Sequence, residues 1–310
     1  MLHAIFLALA VGQPDPADAW DLLYDDKVAI RLTAPRFTAG VRALPWAPGR
    51  GMSDANPAAA PAKKPAAKTP PLPDHLEFRE ETSTLFKDGI ITYIPLASLV
   101  RLDYDVDKKL VRAVVAQPDG KELVLSGSTR FVGINKFNVE GAVLPAAVTL
   151  PAATLQVHDG LLKTPIRGIR LRADAAKAEA PAAPAGRAAV VVAADKEKSE
   201  HRVFELTPVY QVAGKQRLAP VLMFQKIGQL DIAKVAALRH LPPAKKQATA
   251  PDYEVTLADG TKQTLALLEK TTLDDNQPAQ LIGLAGRVAA GWKLFPPHTI
   301  AVVRWESEQK

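Results

Sequence analysis

Apolar and polar positions alternate in short runs along two stretches of this chain, and Gly, Asp, Asn and Pro interrupt the runs. The first stretch holds Gly89-Ile90-Ile91-Thr92-Tyr93-Ile94, Leu99-Val100-Arg101-Leu102-Asp103-Tyr104, Leu110-Val111-Arg112-Ala113-Val114-Val115 and Glu122-Leu123-Val124-Leu125. A two-residue period with β-branched content predicts strands. Asp119-Gly120 lies between the last two runs, and glycine supplies the positive φ that a tight hairpin turn needs. The second stretch repeats the device: Tyr253-Glu254-Val255-Thr256-Leu257, then Asp259-Gly260, then Thr264-Leu265-Ala266-Leu267-Leu268.

Two segments carry no such pattern. Residues 53–73 read SDANPAAAPAKKPAAKTPPLP, and 173–189 read ADAAKAEAPAAPAGRAA. Pro, Ala and Lys in this mixture bury no core and favour extended conformations. Pro181 and Pro184 break the helix that the alanines would otherwise favour. The expected organisation is therefore a signal peptide over 1–19, a poorly structured region with a Pro/Ala/Lys linker over 20–73, and a first β module over 74–172. An Ala/Pro linker over 173–187 and a second β module over 188–306 complete it. The expected fold class is mainly β: two similar small β-sandwich or β-barrel modules joined by the Pro/Ala-rich linker, behind a disordered N-terminal tether. Within 20–52, Leu22, Leu23, Val28, Ile30 and Leu32 suit a helix or an edge strand, and Pro35, Pro45 and Pro48 interrupt the remainder of that stretch.

Residues 2–11, LHAIFLALAV, have the length of a secretory apolar core and are too short to span a bilayer. Two A-x-A patterns accompany the run, Ala8-Leu9-Ala10 and Ala17-Asp18-Ala19; the second places cleavage before Trp20. The segment ahead of the apolar run departs from a typical leader, having His3 but no Lys or Arg. The expected location is outside the cytoplasm, periplasmic or extracellular.

The halves also parallel one another. Pro95–Leu102 matches Asp231–Leu238, Asp119-Gly120 matches Asp259-Gly260, Phe131–Ile134 matches Leu281–Leu284, and Leu150–Leu155 matches Phe295–Ile300, all in the same order. This predicts an internal repeat, with the second module a copy of the first. The segments FREETSTLFKDGI (78–90), IPLASLVRLDYD (94–105), GSTRFVGINKFNVEG (127–141) and GRVAAGWKLFPPHTI (286–300) resemble a family of exported bacterial β-repeat proteins that has no established activity. The resemblance spans about residues 74–306. It implies export and two β modules, and it carries no functional residue across.

Composition narrows the chemistry. The 310 residues are 47% hydrophobic and 23% charged, which excludes a wholly disordered chain and a coiled coil. Proline is abundant, 26 of 310, and its excess sits in the linkers. The absence of cysteine excludes disulfides, thiol catalysis and thiolate zinc sites. Lys and Arg total 39 against 33 Asp and Glu, a net charge of +6 that favours anionic partners. Lys63, Lys64, Lys68, Lys245 and Lys246 lie in Pro/Ala-rich loops. With no groove-reading motif, nucleic acid is not an expected partner.

No phosphate loop, dinucleotide fingerprint or G-x-S-x-G elbow occurs. His3, His75, His158, His201, His240 and His298 are scattered without metal-ligand spacing. Ser126 and Ser128 flank Gly127 where a turn would end a strand. Asp103, Asp105 and Asp107 form a D-x-D-x-D run, the opening of a calcium loop, and are the weak metal candidates. The loop then fails, with Lys108 where Gly is needed and Val114 where Glu is needed. Asp274-Asp275-Asn276-Gln277-Pro278 reads as a loop tip, Glu80-Glu81 as an isolated pair, and Trp292 and Phe295 as core residues able alternatively to line a groove with Pro296 and Pro297. No catalytic residue and no cofactor is expected. The expected function is a non-enzymatic binding or structural protein of the cell envelope, its partner an anionic envelope polymer or another envelope protein. The alternative is a carbohydrate-active hydrolase using a carboxylate pair.

Overall fold

A computed structural model describes residues 19–24, 27–37, 41–46, 75–80, 89–105, 110–129, 139–144, 154–156, 168–171, 178–242, 251–273 and 276–306. The fold is mainly β. The first half contains β1 (Trp20–Tyr24), β2 (Lys27–Phe37), β3 (Val41–Arg42), β4 (His75–Glu80), β5 (Ile91–Pro95), β6 (Leu99–Asp105), β7 (Leu110–Ala116), β8 (Glu122–Thr129), β9 (Val139–Leu144), β10 (Thr154–Gln156) and β11 (Gly168–Arg170). The second half contains β12 (Ala188–Ala193), β13 (Glu200–Val212), β14 (Lys215–Leu218), β15 (Val221–Phe224), β16 (Gly228–Asp231), β17 (Val235–His240), β18 (Asp252–Leu257), β19 (Lys262–Ala266), β20 (Lys270–Thr272), β21 (Pro278–Val288), β22 (Gly291–Phe295) and β23 (Ile300–Trp305). The alternating runs at 99–104, 110–115 and 253–257 coincide with β6, β7 and β18.

The pairing is antiparallel and runs in one ladder, β10–β9–β2–β1–β11–β6–β7–β8–β4–β5 and onward through β22–β21–β13–β12–β23–β17–β18–β19. Together with β3, β14 and β20 this makes 21 strands, while β15 and β16 form a separate hairpin. A twisted sheet of this size has to curl or split, and here it wraps two cores. One gathers Leu22, Leu32, Phe78, Leu99, Leu102 and Ile169 of the first half. The other gathers Val191, Tyr210, Phe224, Val255, Phe295 and Val303 of the second. Among the described residues no closed barrel forms, which corrects that alternative. Among the described residues the ladder ends at β10 on one side, and beyond β19 the bridge Phe224–Leu267 leads on to β15.

Three strand junctions share one device. Single 3-10 turns at Leu96–Ser98, Ile232–Lys234 and Pro297–Thr299 lead into β6, β17 and β23. Two are closed by a hydroxyl: Ser98 Oγ donates to the Pro95 carbonyl at 2.8 Å, and Thr299 Oγ1 donates to that of Pro296 at 2.7 Å. In the third, Asp231 accepts from the Ala233 amide at 2.8 Å. Each of these strands then bulges at its second residue, so that Val100, Ala236 and Ala301 are skipped in the pairing. A bulge adds twist and bends the strand, which is how the sheet rounds each core. The hairpins after β7 and β18 match too. Gly120 and Gly260 have positive φ, and Asp119 and Asp259 accept from the Lys121 and Thr261 amides at 3.0 and 2.8 Å. Those hydrogen bonds hold both carboxyls below their ordinary range. The halves differ in register, for Leu99 faces Val115, five residues before its glycine, whereas Val235 faces Leu257, three before. A two-residue slide leaves every side chain on the same face.

Two regions depart from expectation. Trp20–Tyr24, Lys27–Phe37 and Val41–Arg42 are strands of the sheet, in place of the expected poorly structured lead. Leu22 and Leu32 are fully buried, Leu22 lies opposite Ile169, and Trp46 is buried in a third cluster. Short strands broken by Pro35 gain their stability from distant partners, which local periodicity does not reveal. The Ala/Pro linker is not a free spacer over 178–187 either. The Glu179 amide donates to the Ala97 carbonyl at 2.9 Å, and Ala178 and Ala180 pack on Val100 and Ala116. Residues 1–18 and 47–74, with the leader and the first linker, lie outside the described residues.

One turn invites a stability test. Ala213-Gly214 forms the two-residue loop between β13 and β14, both with positive φ. A non-glycine residue there is strained by roughly 1 kcal/mol, and asparagine suffers less. Ala213→Asn should raise the unfolding free energy by about 0.5–1 kcal/mol in chemical denaturation.

Candidate functional site

The halves meet through β5 and β22, with Tyr93 opposite Trp292, Thr92 opposite Lys293 and Ile91 opposite Leu294. Trp46 stands at this junction, edge-on to Tyr93 at 5.2 Å and to Trp292 at 6.0 Å. Leu44, Val209, Ala285 and Leu294 complete the cluster, which therefore draws on both halves. Beside it Glu77, fully buried on β4, accepts from Arg42 at 3.0 Å with Arg79 at 3.8 Å. The other buried carboxylate, Asp21, takes both Nε and Nη2 of Arg31 at 2.7 and 3.2 Å. That bond raises the pKa of Arg31.

Of the metal candidates, Asp103 lies on β6 and is bonded by the Nε of Arg101. Asp105 pairs with Leu110 at the end of that strand, and Asp107 lies outside the described residues. A guanidinium on Asp103 occupies the carboxylate that a cation would need. Among the described residues no three His, Cys, Asp or Glu side chains come together as a metal site.

Ser126 and Ser128 sit within β8 and not in a turn, opposite Arg112 and Arg79. Asn276 does lie in a turn, with positive φ and its amide on the Leu273 carbonyl. Phe295 is fully buried and Trp292 half-buried at the junction, so both are core residues. Pro297, with Leu222, Leu238, Tyr253, Leu281 and Ile300, lines an apolar cavity of about 20 Å³, room for one water.

Sequence reasoning missed a serine, a histidine and an aspartate that approach one another. Ser199 Oγ donates to Asp195 at 2.7 Å and its amide donates to the other carboxylate oxygen at 3.0 Å. Burial pushes the Asp195 carboxyl up, and the Ser199 hydrogen bonds outweigh it, leaving the group below its ordinary range. Nucleophilic catalysis requires the hydroxyl on the imidazole. Here the hydroxyl is on the carboxylate, while His201 Nδ1 lies 3.2 Å from Lys293 Nζ and its ring lies 5.5 Å from that of Phe295. The group ties the start of β13 to β22.

Burial also pushes the phenols of Tyr210 and Tyr253 up to about 12. Tyr210 donates to the Val221 carbonyl at 3.1 Å, holding the β15–β16 hairpin to β13. A phenol raised in the folded state keeps its proton after the unfolded chain has lost its own at about 10. The stabilisation is complete below about pH 10 and is lost as pH rises through about 12. Each tyrosine contributes on the order of 2–3 kcal/mol. Unfolding between about pH 10 and 12 should appear as phenolate absorbance rising together with loss of the β circular dichroism.

A charged surface lies on the outer face of the first-half sheet. Cross-strand register places Arg31 (β2), Asp21 (β1), Arg170 (β11) and Arg101 (β6) side by side, and Asp103 and Arg112 (β7) form the next row. Their neighbours Leu22, Leu32, Leu102, Val111 and Ile169 point into the core, so alternation aims all six outward. Four guanidiniums face two carboxylates. Val124 of β8, 54% exposed, borders the patch. Both carboxylates are engaged, by Arg31 and by Arg101. The guanidinium of Arg170, half-buried between them, has no hydrogen bond or ion pair among the described residues. Long-range pairing assembles this patch from five strands, and nothing in the linear pattern signals it.

This is the geometry of a two-lobed antiparallel β protein with a basic sheet face. The chain matches no protein-family model and no curated protein sequence.

Proposed function

We propose that this chain is an exported, non-enzymatic binding or structural protein of the cell envelope, built from two copies of one β unit and belonging with the β-repeat proteins its segments resemble. The observation that carries the reading is the unbroken ladder through β5 and β22. It couples two cores into one body whose outer faces keep a fixed relation, which suits contact with an extended partner better than enclosure of a small one. The 3-10 turn with its bulged strand, recurring at 96–100, 232–236 and 297–301, supports the duplication. The third match, Phe131–Ile134, lies outside the described residues, and the fourth, Leu150–Leu155, mostly so. Export is supported by the leader pattern, because cleavage after Ala19 would leave β1 whole from Trp20. The partner is an anionic envelope polymer or another envelope protein.

Fractionation of the native host with mass spectrometry of the amino terminus tests this. The expected result is a chain beginning at Trp20 in the envelope or extracellular fraction. A cytosolic chain retaining Met1 would overturn it.

A further inference from the structure

Resting on the reading of this chain as an envelope binding protein, we infer that the outer face of the first-half sheet binds the acid groups of an anionic polysaccharide, with Arg170 as the anchoring cation. A guanidinium presents a planar fork of donors matched to carboxylate, sulfate or phosphate oxygens. A half-buried guanidinium with no protein acceptor can exchange its water for a ligand oxygen at little cost, and Arg170 is in that state among the described residues. The two carboxylates nearest to it give no relief. Asp21, directly opposite on β1, is taken up by Arg31, and Asp103 by Arg101. Arg101 faces Arg170 from β6 on the other side. Like charges directly opposite on neighbouring strands repel, and an anion between them removes the repulsion while satisfying Arg170.

The shape of the face favours a polysaccharide. From β2 to β8 it crosses five strand spacings, roughly 24 Å at ~4.8 Å each, enough for several sugar units lying across the strands. Exposed Val124 at the edge of the face offers a surface for the C–H face of a sugar ring. Sequence-tolerant binding of single-stranded nucleic acid relies on aromatic platforms for the bases, and the outward side chains described on this face are arginines, aspartates, Glu122, valines, a serine and the buried Leu23 and Ala116.

The test uses the full chain and isothermal titration calorimetry with polygalacturonate, dextran sulfate, neutral dextran, inorganic phosphate and a single-stranded oligonucleotide. The expected result is binding to one or both acidic polysaccharides, weakened by salt, and none to neutral dextran. Comparison of polygalacturonate with dextran sulfate tells carboxylate from sulfate preference, and inorganic phosphate tells a free anion from a polymer-borne one. Arg170→Gln should weaken binding at least tenfold without lowering the thermal midpoint. Arg304→Gln, on β23 of the second half and paired with Glu200, should change nothing. Should Arg170→Gln fail to fold, Arg112→Gln carries the same expectation from the neighbouring row. Unchanged binding in the folded variant, equal weakening by Arg304→Gln, tighter binding of inorganic phosphate or the oligonucleotide, or no binding of either acidic polysaccharide would each overturn the inference. Failure here leaves the envelope location standing, and a cytosolic location would leave the measured binding standing.

Discussion

Gly291→Val should divide one unfolding transition into two. In differential scanning calorimetry the wild-type chain is expected to melt its halves together, and the variant to melt them separately, with at least about 3 kcal/mol lost from the junction. The reason is steric. Gly291 opens β22 with φ 126, and a Cβ placed there would lie 2.3 Å from the Tyr93 carbonyl oxygen and 2.8 Å from Pro95 Cδ. The obstacle is backbone, which cannot rotate aside as a side chain can. The positive φ adds strain for any L-residue. Only three residue pairs join β5 to β22, so forcing them apart also opens the Trp46–Tyr93–Trp292 cluster behind them. Tryptophan fluorescence should shift to the red in the folded variant. A single transition at the wild-type temperature would show that the halves are joined by something other than this pairing.

The second large effect is expected at Arg42. Glu77 has a side chain only 3% exposed, and Arg42 reaches it from β3 at 3.0 Å, while Arg79 stands farther off at 3.8 Å. Arg42→Met keeps the aliphatic stem and removes the charge. A buried carboxylate that loses its principal partner costs about 3–5 kcal/mol, so the chemical-denaturation midpoint should fall sharply. Arg42→Met combined with Glu77→Leu should regain most of that loss, because a buried ion pair replaced on both sides by apolar groups is close to neutral. A double variant no more stable than Arg42→Met would mean that packing of the Arg42 stem matters more than the charge. The pair also fixes where β3 joins the first half, since among the described residues β3 pairs with β4 through Val41–Leu76 and Arg42–His75.

Strand and turn chemistry was readable without coordinates because it is local. Alternation around Leu102 and Val255 follows from a backbone that turns successive side chains to opposite faces. The hairpins at Gly120 and Gly260 follow from the conformational freedom of glycine. The likeness of Pro95–Leu102 to Asp231–Leu238 fell on the same 3-10 turn and bulge in both places, even though one is closed by a serine hydroxyl and the other by an aspartate. Phe295–Ile300 makes the turn a third time, and its Pro-Pro pair disguises it as a linker-like motif. The D-x-D-x-D run was legible as carboxylates but not as a site, because the partner of Asp103 is Arg101, two residues away on the same strand face.

The candidate face was not legible at all. Arg31, Arg101, Arg112 and Arg170 are inconspicuous where they stand in the chain, and each alternates with core residues as any surface position does. Linear order alone settled that this is a β protein, where its best strands run, and which segments are too rich in proline and alanine to build a core of their own. Which strands become neighbours depended on complementary apolar faces meeting across long loops, a cost and a gain that no short window contains. That choice drew β1, β2 and β3 into the sheet, laid Ala178 and Ala180 against Val100 and Ala116, joined the halves through a three-pair seam, and set four arginines from separate strands on one surface.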